Sequence, residues 1–577
     1  MMQTEPKPNL LEIRNLQLDF RTDEGLVRAV DNLNMSIQPG EVMGLVGESG
    51  SGKSVTAKTI MRLNPGNALI QPGSQLWLNH NGQRTDVLGL RGRDLRQVRG
   101  GAVSMIFQEP MASFAPAIPL GEQIVETIQI HLGHDRATAR RIGIELFERV
   151  GIPLPEQRFD QYVFELSGGM RQRAMIAMAL STQPKLLIAD EPTTALDVTI
   201  QAQVLELMLE LREQLGMAML FITHDLGVIS KIADNMTVMK RGEVVESGPA
   251  DSVLYSPRHS YTRRLLDALP QMESLPEAPA QTPAPLIEVK DLSISYPIAG
   301  GAKQGELSHA VRNVSLALPE GQIIGLVGES GSGKTSLGKA LLGASPISSG
   351  TVQYLGEGGY TLGAKQKAKR QQIARVAQLV FQDPYSSLNP RMTVRDIIAE
   401  PLEALKLTRN RKETDARVMD IARLCQLDIS HLRRFPHAFS GGQRQRISIA
   451  RALVCKPRLL IADESVAALD VSIQAEILAL LRQLKAELGL TILFISHDLS
   501  VIANLCDRVC VMKQGQLVEQ GSVREIYLTP QQAYTRQLIG AIPLLDQARL
   551  KARESAAVPL SLMAGHHQQA GTCAVSN

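Results

Sequence analysis

Two stretches of this chain have the residue types and spacing that hold a phosphate group. Gly47, Ser49, Gly50, Ser51, Gly52, Lys53 and Ser54 follow a short apolar run and precede a helical pattern, and Gly328, Ser330, Gly331, Ser332, Gly333, Lys334 and Thr335 repeat the arrangement. Glycines at both ends of such a loop let consecutive backbone N–H groups wrap a β-phosphate at the positive end of a helix. Lys53 or Lys334 is then placed to reach the β- and γ-phosphates, and the hydroxyl of Ser54 or Thr335 to meet a magnesium ion. A glycine turn with an exposed lysine would look similar once, but not twice after the same kind of apolar run.

Each loop is followed by the same further groups in the same order. Asp190 and Asp463 end apolar runs, where a carboxylate holds Mg2+ through water, and Glu191 and Glu464 come next, placed to polarise an attacking water as general bases. Gln108 and Gln382 end other apolar runs, where an amide can touch both the metal and the water. His224 and His497 stand at strand ends and suit a hydrogen bond to the γ-phosphate. Ser167, Gly168, Gly169 and Ser440, Gly441, Gly442, with Gln443, precede long helical stretches and form a second kind of anion site, a hydroxyl plus unobstructed backbone N–H groups at a helix start. The two glutamates (464 − 191) and the two histidines (497 − 224) are each 273 positions apart, so one module was duplicated and two nucleotide sites follow.

The elements that must carry these residues are legible as patterns. Alternating segments at 11–20 and 286–296, with partners at 29–37 and 310–318, predict a small antiparallel sheet ahead of each core. The runs at 42–46, 185–190 and 217–223, and at 323–327, 458–463 and 491–496, are apolar on both faces, as buried parallel strands are. About sixty mainly helical residues between Gln108 and Ser167, and again between Gln382 and Ser440, predict a helical subdomain inserted in each core. The fold class is therefore α/β with two tandem P-loop modules, at 1–270 and 286–545. A proline-rich spacer at 271–285 reads as semi-rigid and extended, and 546–577, without period, as a disordered tail.

Composition excludes several classes. Over 577 residues the net charge is only +3, with 44% hydrophobic and 21% charged residues, which gives no electrostatic footprint for nucleic acid. No stretch approaches the ~18 consecutive apolar residues of a membrane span, and the chain start has no secretory pattern. The chain reads as cytosolic. Its five cysteines all lie in the second half without a Cys-x-x-Cys pair and read as reduced core thiols, with a metal site on Cys506 and Cys510 as the lesser alternative.

From about Leu11 to Pro543 these residues resemble the ATP-binding cassette (ABC) proteins. The resemblance implies head-to-tail cassettes, with Ser440, Gly441 and Gly442 completing the site of Lys53, Gln108, Asp190, Glu191 and His224. Ser167, Gly168 and Gly169 would complete the site of Lys334, Gln382, Asp463, Glu464 and His497. It also implies adenine stacking on Phe20 and Tyr296, and a loop at 195–197 and 468–470 that crosses the interface. Two departures stand out: Met170 where the second copy has Gln443, and Ser465 where the first has Pro192. The segments at 381–390 and 191–201, and the endings His259 to Arg263 and Ala533 to Arg536, are similar to the dipeptide/oligopeptide/nickel importer ATPases, fused here in one chain. The expected cofactors are ATP and Mg2+. The expected partners are two transmembrane permease subunits and, through them, a periplasmic solute-binding protein, at the cytoplasmic face of a bacterial inner membrane. A ribosome-acting twin cassette is the alternative; its relatives resemble a long charged arm between cassettes, unlike this short uncharged spacer. A twin-cassette DNA-repair ATPase would carry zinc-type cysteine pairs, which this chain lacks.

Overall fold

The computed structural model describes residues 8–542 apart from 24, 81, 194–196, 268–274, 277–282, 298–306, 356–358, 365–369 and 467–468. The expected tail at 546–577 and most of the expected spacer therefore lie outside the described residues.

Each module is built on a six-stranded sheet buried on both faces. In the first, Val42–Val46 lies between Asn235–Lys240 and Ala218–Thr223, followed outward by Leu186–Asp190 and Val103–Ile106, all parallel, while Glu243–Pro249 closes the far edge antiparallel. The second repeats this order with Ile323–Val327, Arg508–Lys513, Thr491–Ile495, Leu459–Asp463, Ala377–Val380 and Gln516–Ser522. The period of two explains the double burial. Val42 and Val46 face the core shared with the helical subdomain, whereas Met43 and Leu45 face the core shared with the antiparallel sheet; Ile323 and Val327, and Ile324 and Leu326, divide the same way.

The antiparallel sheets form where the alternation predicted them. Leu11–Thr22 pairs with Gly25–Ile37 and Gln75–His80, and Pro285–Pro297 with Leu307–Pro319 and Ser349–Tyr354. Each sheet presses on its phosphate loop. A Cβ at Gly52 would stand 2.6 Å from the Ala29 carbonyl oxygen, and one at Gly333 2.2 Å from that of Ala310. Both residues also hold φ near +100°, so only glycine serves there.

The helical subdomains share a plan but not a packing. In the first, Leu120–Leu132 and Arg136–Arg149 close around Phe159, which meets Phe147 edge to face at 5.2 Å. Gly121 gives that ring its space. In the second, Arg395 occupies the place of Gly121 and Leu432 that of Phe159, as the matching bonds Leu120 N–H to Gln161 O and Val394 N–H to Arg434 O show. Arg395 instead reaches Asp415 at 2.6 Å. Gly121→Ala would put a Cβ 2.1 Å from the Phe159 ring; it is expected to cost the first module about 1–3 kcal/mol, read as a lower first transition in thermal or denaturant unfolding, whereas Arg395→Ala should leave that transition in place.

Candidate active site

Parallel pairing in register brings four loop starts to one edge of each sheet. Val46 is level with Thr223, Asp190 with Ile222, and Ile106 with Ala189, so the glycine loop, His224, the Asp190–Glu191 pair and Gln108 emerge side by side. Ligands of open α/β sheets bind outside the carboxyl ends of their strands for this reason. The second sheet does the same with Leu326, Ile495, Asp463, Val380 and Ala462.

The glycine loop is held in its curved form from within. A Cβ on Gly47 would lie 2.2 Å from the Met239 carbonyl oxygen, and on Gly328 2.2 Å from that of Met512. Lys53 is buried and its Nζ donates to the carbonyl oxygens of Gly47 and Glu48, each at 2.7 Å, while Lys334 does so to Gly328 and Glu329 at 2.8 Å. Burial lowers the pKa of both ammonium groups, against the raising fields of the nearby carboxylates. Ser49, Gly50, Ser330 and Gly331 stand exposed at the mouths of the loops, and Ser51 and Ser332 are buried beneath.

Ser54 Oγ donates to Asp190 at 3.0 Å, and Thr335 Oγ1 to Asp463 at 3.1 Å. Burial raises both aspartate pKa values, the hydroxyl bond offsets part of this, and the adjacent glutamate adds to it. A hydroxyl and a carboxylate this close form a hard oxygen donor set that fits a hydrated Mg2+.

Glu191 and Glu464 adopt left-handed backbones, φ 49° and 46°. Each N–H is tied to the neighbouring strand, at Ile222 O and Ile495 O, both 2.9 Å. A strained conformation costs on the order of 1–3 kcal/mol and persists only where the surroundings fix it. Here it turns the carboxylate off the strand end toward two partners. Gln108 Nε2 donates to Glu191 at 2.9 Å and Gln382 Nε2 to Glu464 at 2.6 Å, while the imidazoles of His224 and His497 lie 3.3 Å from the same carboxylates. Burial opposes protonation of the histidines. The hydrogen bond and charge of the glutamate, with Asp225 or Asp498, outweigh it and raise both pKa values above the ordinary imidazole value, while the His497 bond pulls Glu464 down.

Phe20 and Tyr296 are half-buried near the ends of their strands, and the Tyr296 hydroxyl lies 2.9 Å from that of Ser345. Ser167 and Ser440 cap the helices Gly168–Leu180 and Gly441–Leu453. Only the second cap is reciprocal: Gln443 accepts from the Ser440 N–H at 3.1 Å, a bond Met170 cannot make. Among the described residues no hydrogen bond joins Ser167, Gly168, Gly169, Ser440, Gly441 or Gly442 to the opposite glycine loop. What does cross is the segment after each Asp-Glu pair, of which 195, 196 and 468 lie outside the described residues. Asp197 accepts from the Ser330 N–H at 2.6 Å and Thr199 donates to Glu329 at 3.1 Å; reciprocally Ser472 donates to Glu48. Sequence reasoning missed Glu48, Glu329, Thr199 and Ser472, because a hydroxyl two positions past an aspartate carries no signal until its opposite number is in place. The described cysteines are all buried and free, and burial pushes Cys510 up to about 12.

Two P-loop nucleoside-triphosphate modules, each with an antiparallel sheet, a helical insertion and the same cluster of lysine, hydroxyl, carboxylate, amide and imidazole groups, define a twin-cassette ATPase. Matches to known proteins place it further. The chain belongs to the ABC transporter family: that family's ATP-binding domain matches residues 30–194 and 311–467, and the oligopeptide/dipeptide transporter C-terminal region matches 245–290 and 518–571. It is 45% identical to the peptidoglycan transport ATP-binding protein YejF of Agrobacterium fabrum, over 96% of this chain and 100% of that one. The glutathione import ATP-binding proteins GsiA of Pectobacterium atrosepticum and Escherichia coli are both 43% identical over 94% of this chain, covering 91% and 90% of their own lengths. Among the described residues no helix is long and apolar enough to cross a membrane. The chain is thus an ATP-hydrolysing subunit of an ABC importer, not the ribosome-acting alternative.

Because the Glu464 hydrogen bond and charge are the largest influences opposing burial, the His497 imidazole is expected to titrate above its ordinary 6.5 in the intact chain and lower in Glu464→Gln than in the intact chain, as followed by NMR of labelled histidine. With the His497 pKa raised, its contribution to stability is complete below 6.5 and is lost as pH rises through the raised value. With Glu464 lowered from 4.5, its contribution is present above 4.5 and is lost as pH falls through the lowered value.

Proposed function

We propose that the chain powers uptake of short peptides or peptide-like solutes by hydrolysing ATP at two sites. The observation that carries this reading is the Gln–Glu–His cluster beside a buried P-loop lysine, present complete in both modules. Lys53, with the amides of Gly47 to Ser54, holds the triphosphate in one site, and Lys334, with those of Gly328 to Thr335, in the other; Phe20 and Tyr296 take the base. Ser54, Asp190 and Gln108 would hold Mg2+ in one site and Thr335, Asp463 and Gln382 in the other, where the metal would neutralise charge that builds on the phosphate oxygens.

Glu191 and Glu464 accept a proton from the attacking water, and their turned backbones aim the carboxylate at it. His224 and His497, whose protonation the same carboxylates favour, donate to the γ-phosphate oxygens and stabilise negative charge as it develops. Ser440, Gly441, Gly442 and Gln443 close over the first site and Ser167, Gly168 and Gly169 over the second, so triphosphate draws the modules together. The reciprocal contacts of Asp197 and Thr199 with Ser330 and Glu329, and of Ser472 with Glu48, support closure of one chain upon itself, giving one chain per pair of permease subunits at the cytoplasmic face of the inner membrane. Closure would turn the permeases outward to receive solute from a periplasmic binding protein, and hydrolysis would reset them. Relatives named for glutathione and peptidoglycan transport, with the oligopeptide/dipeptide C-terminal match, support a peptide-like solute.

ATPase assays of the chain with its permeases in lipid test this. Glu191→Gln and Glu464→Gln are each expected to lose most activity and the double variant about 100-fold or more, with solute-loaded binding protein stimulating only the unaltered chain. Stimulation by ribosomes and indifference to permeases would overturn it.

A further inference from the structure

Both modules expose large hydrophobic side chains on the segments that run from Gln108 to Ser167 and from Phe381 to Ser440, but the two surfaces differ in charge. On the first, Met111, Ile118, Tyr162 and Phe164 are exposed, with the Tyr162 and Phe164 rings stacked at 5.5 Å. On the second, Phe381, Tyr385 and Phe435 are exposed, with the Phe435 ring stacked on that of His437 at 5.9 Å. The Arg444 guanidinium lies 3.9 Å from the centre of the Tyr385 ring and donates to the carbonyl oxygens of Pro436 and His437, as Arg171 does to those of Val163 and Phe164 on the first surface, and Arg451 lies 5.6 Å from Phe381.

Equivalent positions make the contrast quantitative. Arg391 stands where the first module has Ala117, Arg434 where it has Gln161, Arg433 where it has Asp160, and Arg451 where it has Met178. The paired backbone bonds of Ile118 to Ala115 and Met392 to Asn389, and of Leu120 to Gln161 and Val394 to Arg434, fix this correspondence. Asp160 is itself neutralised by Arg140 at 2.8 Å. Among the described residues, Arg391 and Arg433 have no carboxylate partner within 4.0 Å. The second surface therefore carries more positive charge than the first, with Arg391 and Arg433 exposed where the first has Ala117 and a paired Asp160.

We propose that the two surfaces receive two different permease polypeptides: the second module takes a cytoplasmic segment carrying carboxylates, and the first takes an apolar, uncharged one. The inference rests on the importer reading and adds which face meets which chemistry. Charge complementarity commits the occupant, because a segment bearing Lys or Arg would meet like charge at Arg391, Arg433 and Arg434, and mispairing is penalised more than correct pairing is rewarded. The orientation of a permease heterodimer on this single chain is thereby set by electrostatics, and not by the linear order of the modules.

The test places a photo-cross-linking residue at Tyr385 or at Met111 in the full chain, expressed with its own permeases in its host membranes. The expected result is two different integral membrane polypeptides, the Tyr385 product joined at a segment rich in Asp or Glu and the Met111 product at an apolar one. The combined substitution Arg391→Glu, Arg433→Glu, Arg434→Glu should cut recovery of the permeases with the chain at least about tenfold at physiological salt, leaving the solution ATPase rate unchanged, while Ala117→Glu with Gln161→Glu should not reproduce the effect. The same polypeptide segment at both positions, or a Tyr385 product without carboxylates, overturns the proposal. So does a loss of binding by the triple variant to phosphatidylglycerol vesicles that hold no permease, which would assign the arginines to lipid. Cross-links to ribosomal proteins alone, from both positions, would instead overturn the importer reading beneath it.

Discussion

The ladder of main-chain bonds between the strand that ends at Asp190 and the strand that ends at Thr223, repeated between those ending at Asp463 and Ile495, is the constraint on which the rest depends. It fixes where four strands stop, and so which side chains face one another across the sheet edge. The same ladder supplies the Ile222 and Ile495 carbonyl oxygens that hold Glu191 and Glu464 in left-handed backbone. If the pairing slipped by one residue, every inward side chain would turn to the other face and the carboxylates would leave the site. Burial on both faces forbids that slip, which links a solvent-facing reaction to two dry cores on either side of the sheet.

Much of this was legible in the residues alone. Phosphate loops, Asp-Glu pairs and serine-glycine helix starts announce themselves by local spacing, and the strands beneath them by apolar runs too short for helices. The antiparallel sheets followed from alternation at 11–20 and 286–296, and the structure extends them by turns and bulges that alternation does not encode. What stayed hidden depends on distance in sequence. The strain at Glu191 needs Ile222, the pull on Glu464 needs His497, and the Glu48 contact needs Ser472, far along the chain. Each is a property of two segments at once, and no single window holds both.

The modules are copies in plan and divergent in detail, and the divergence follows a physical pattern. Chemistry-bearing positions agree to within a few tenths of an ångström in their hydrogen bonds, as with Ser54 to Asp190 and Thr335 to Asp463. Supporting positions have drifted: a glycine and a phenylalanine ring in one helical subdomain against an Arg395–Asp415 pair in the other, and a one-sided cap at Ser167 against a reciprocal one at Ser440. Asp197 spends its carboxylate on the opposite loop, while Asp470 caps its own helix through Ile473 at 3.1 Å. Two sites with equal reactive groups can thus open and close at unequal cost.

Carrying both modules on one polypeptide has a consequence beyond geometry. Separate subunits must find each other at cellular concentration, and their pairing falls with dilution. Tethered modules meet at an effective concentration on the order of millimolar, so the contacts of Thr199 with Glu329 and of Ser472 with Glu48 need to be only weak to re-form after each opening. The interface can then stay polar and small, and gene dosage cannot unbalance the two halves, because every chain made brings one of each.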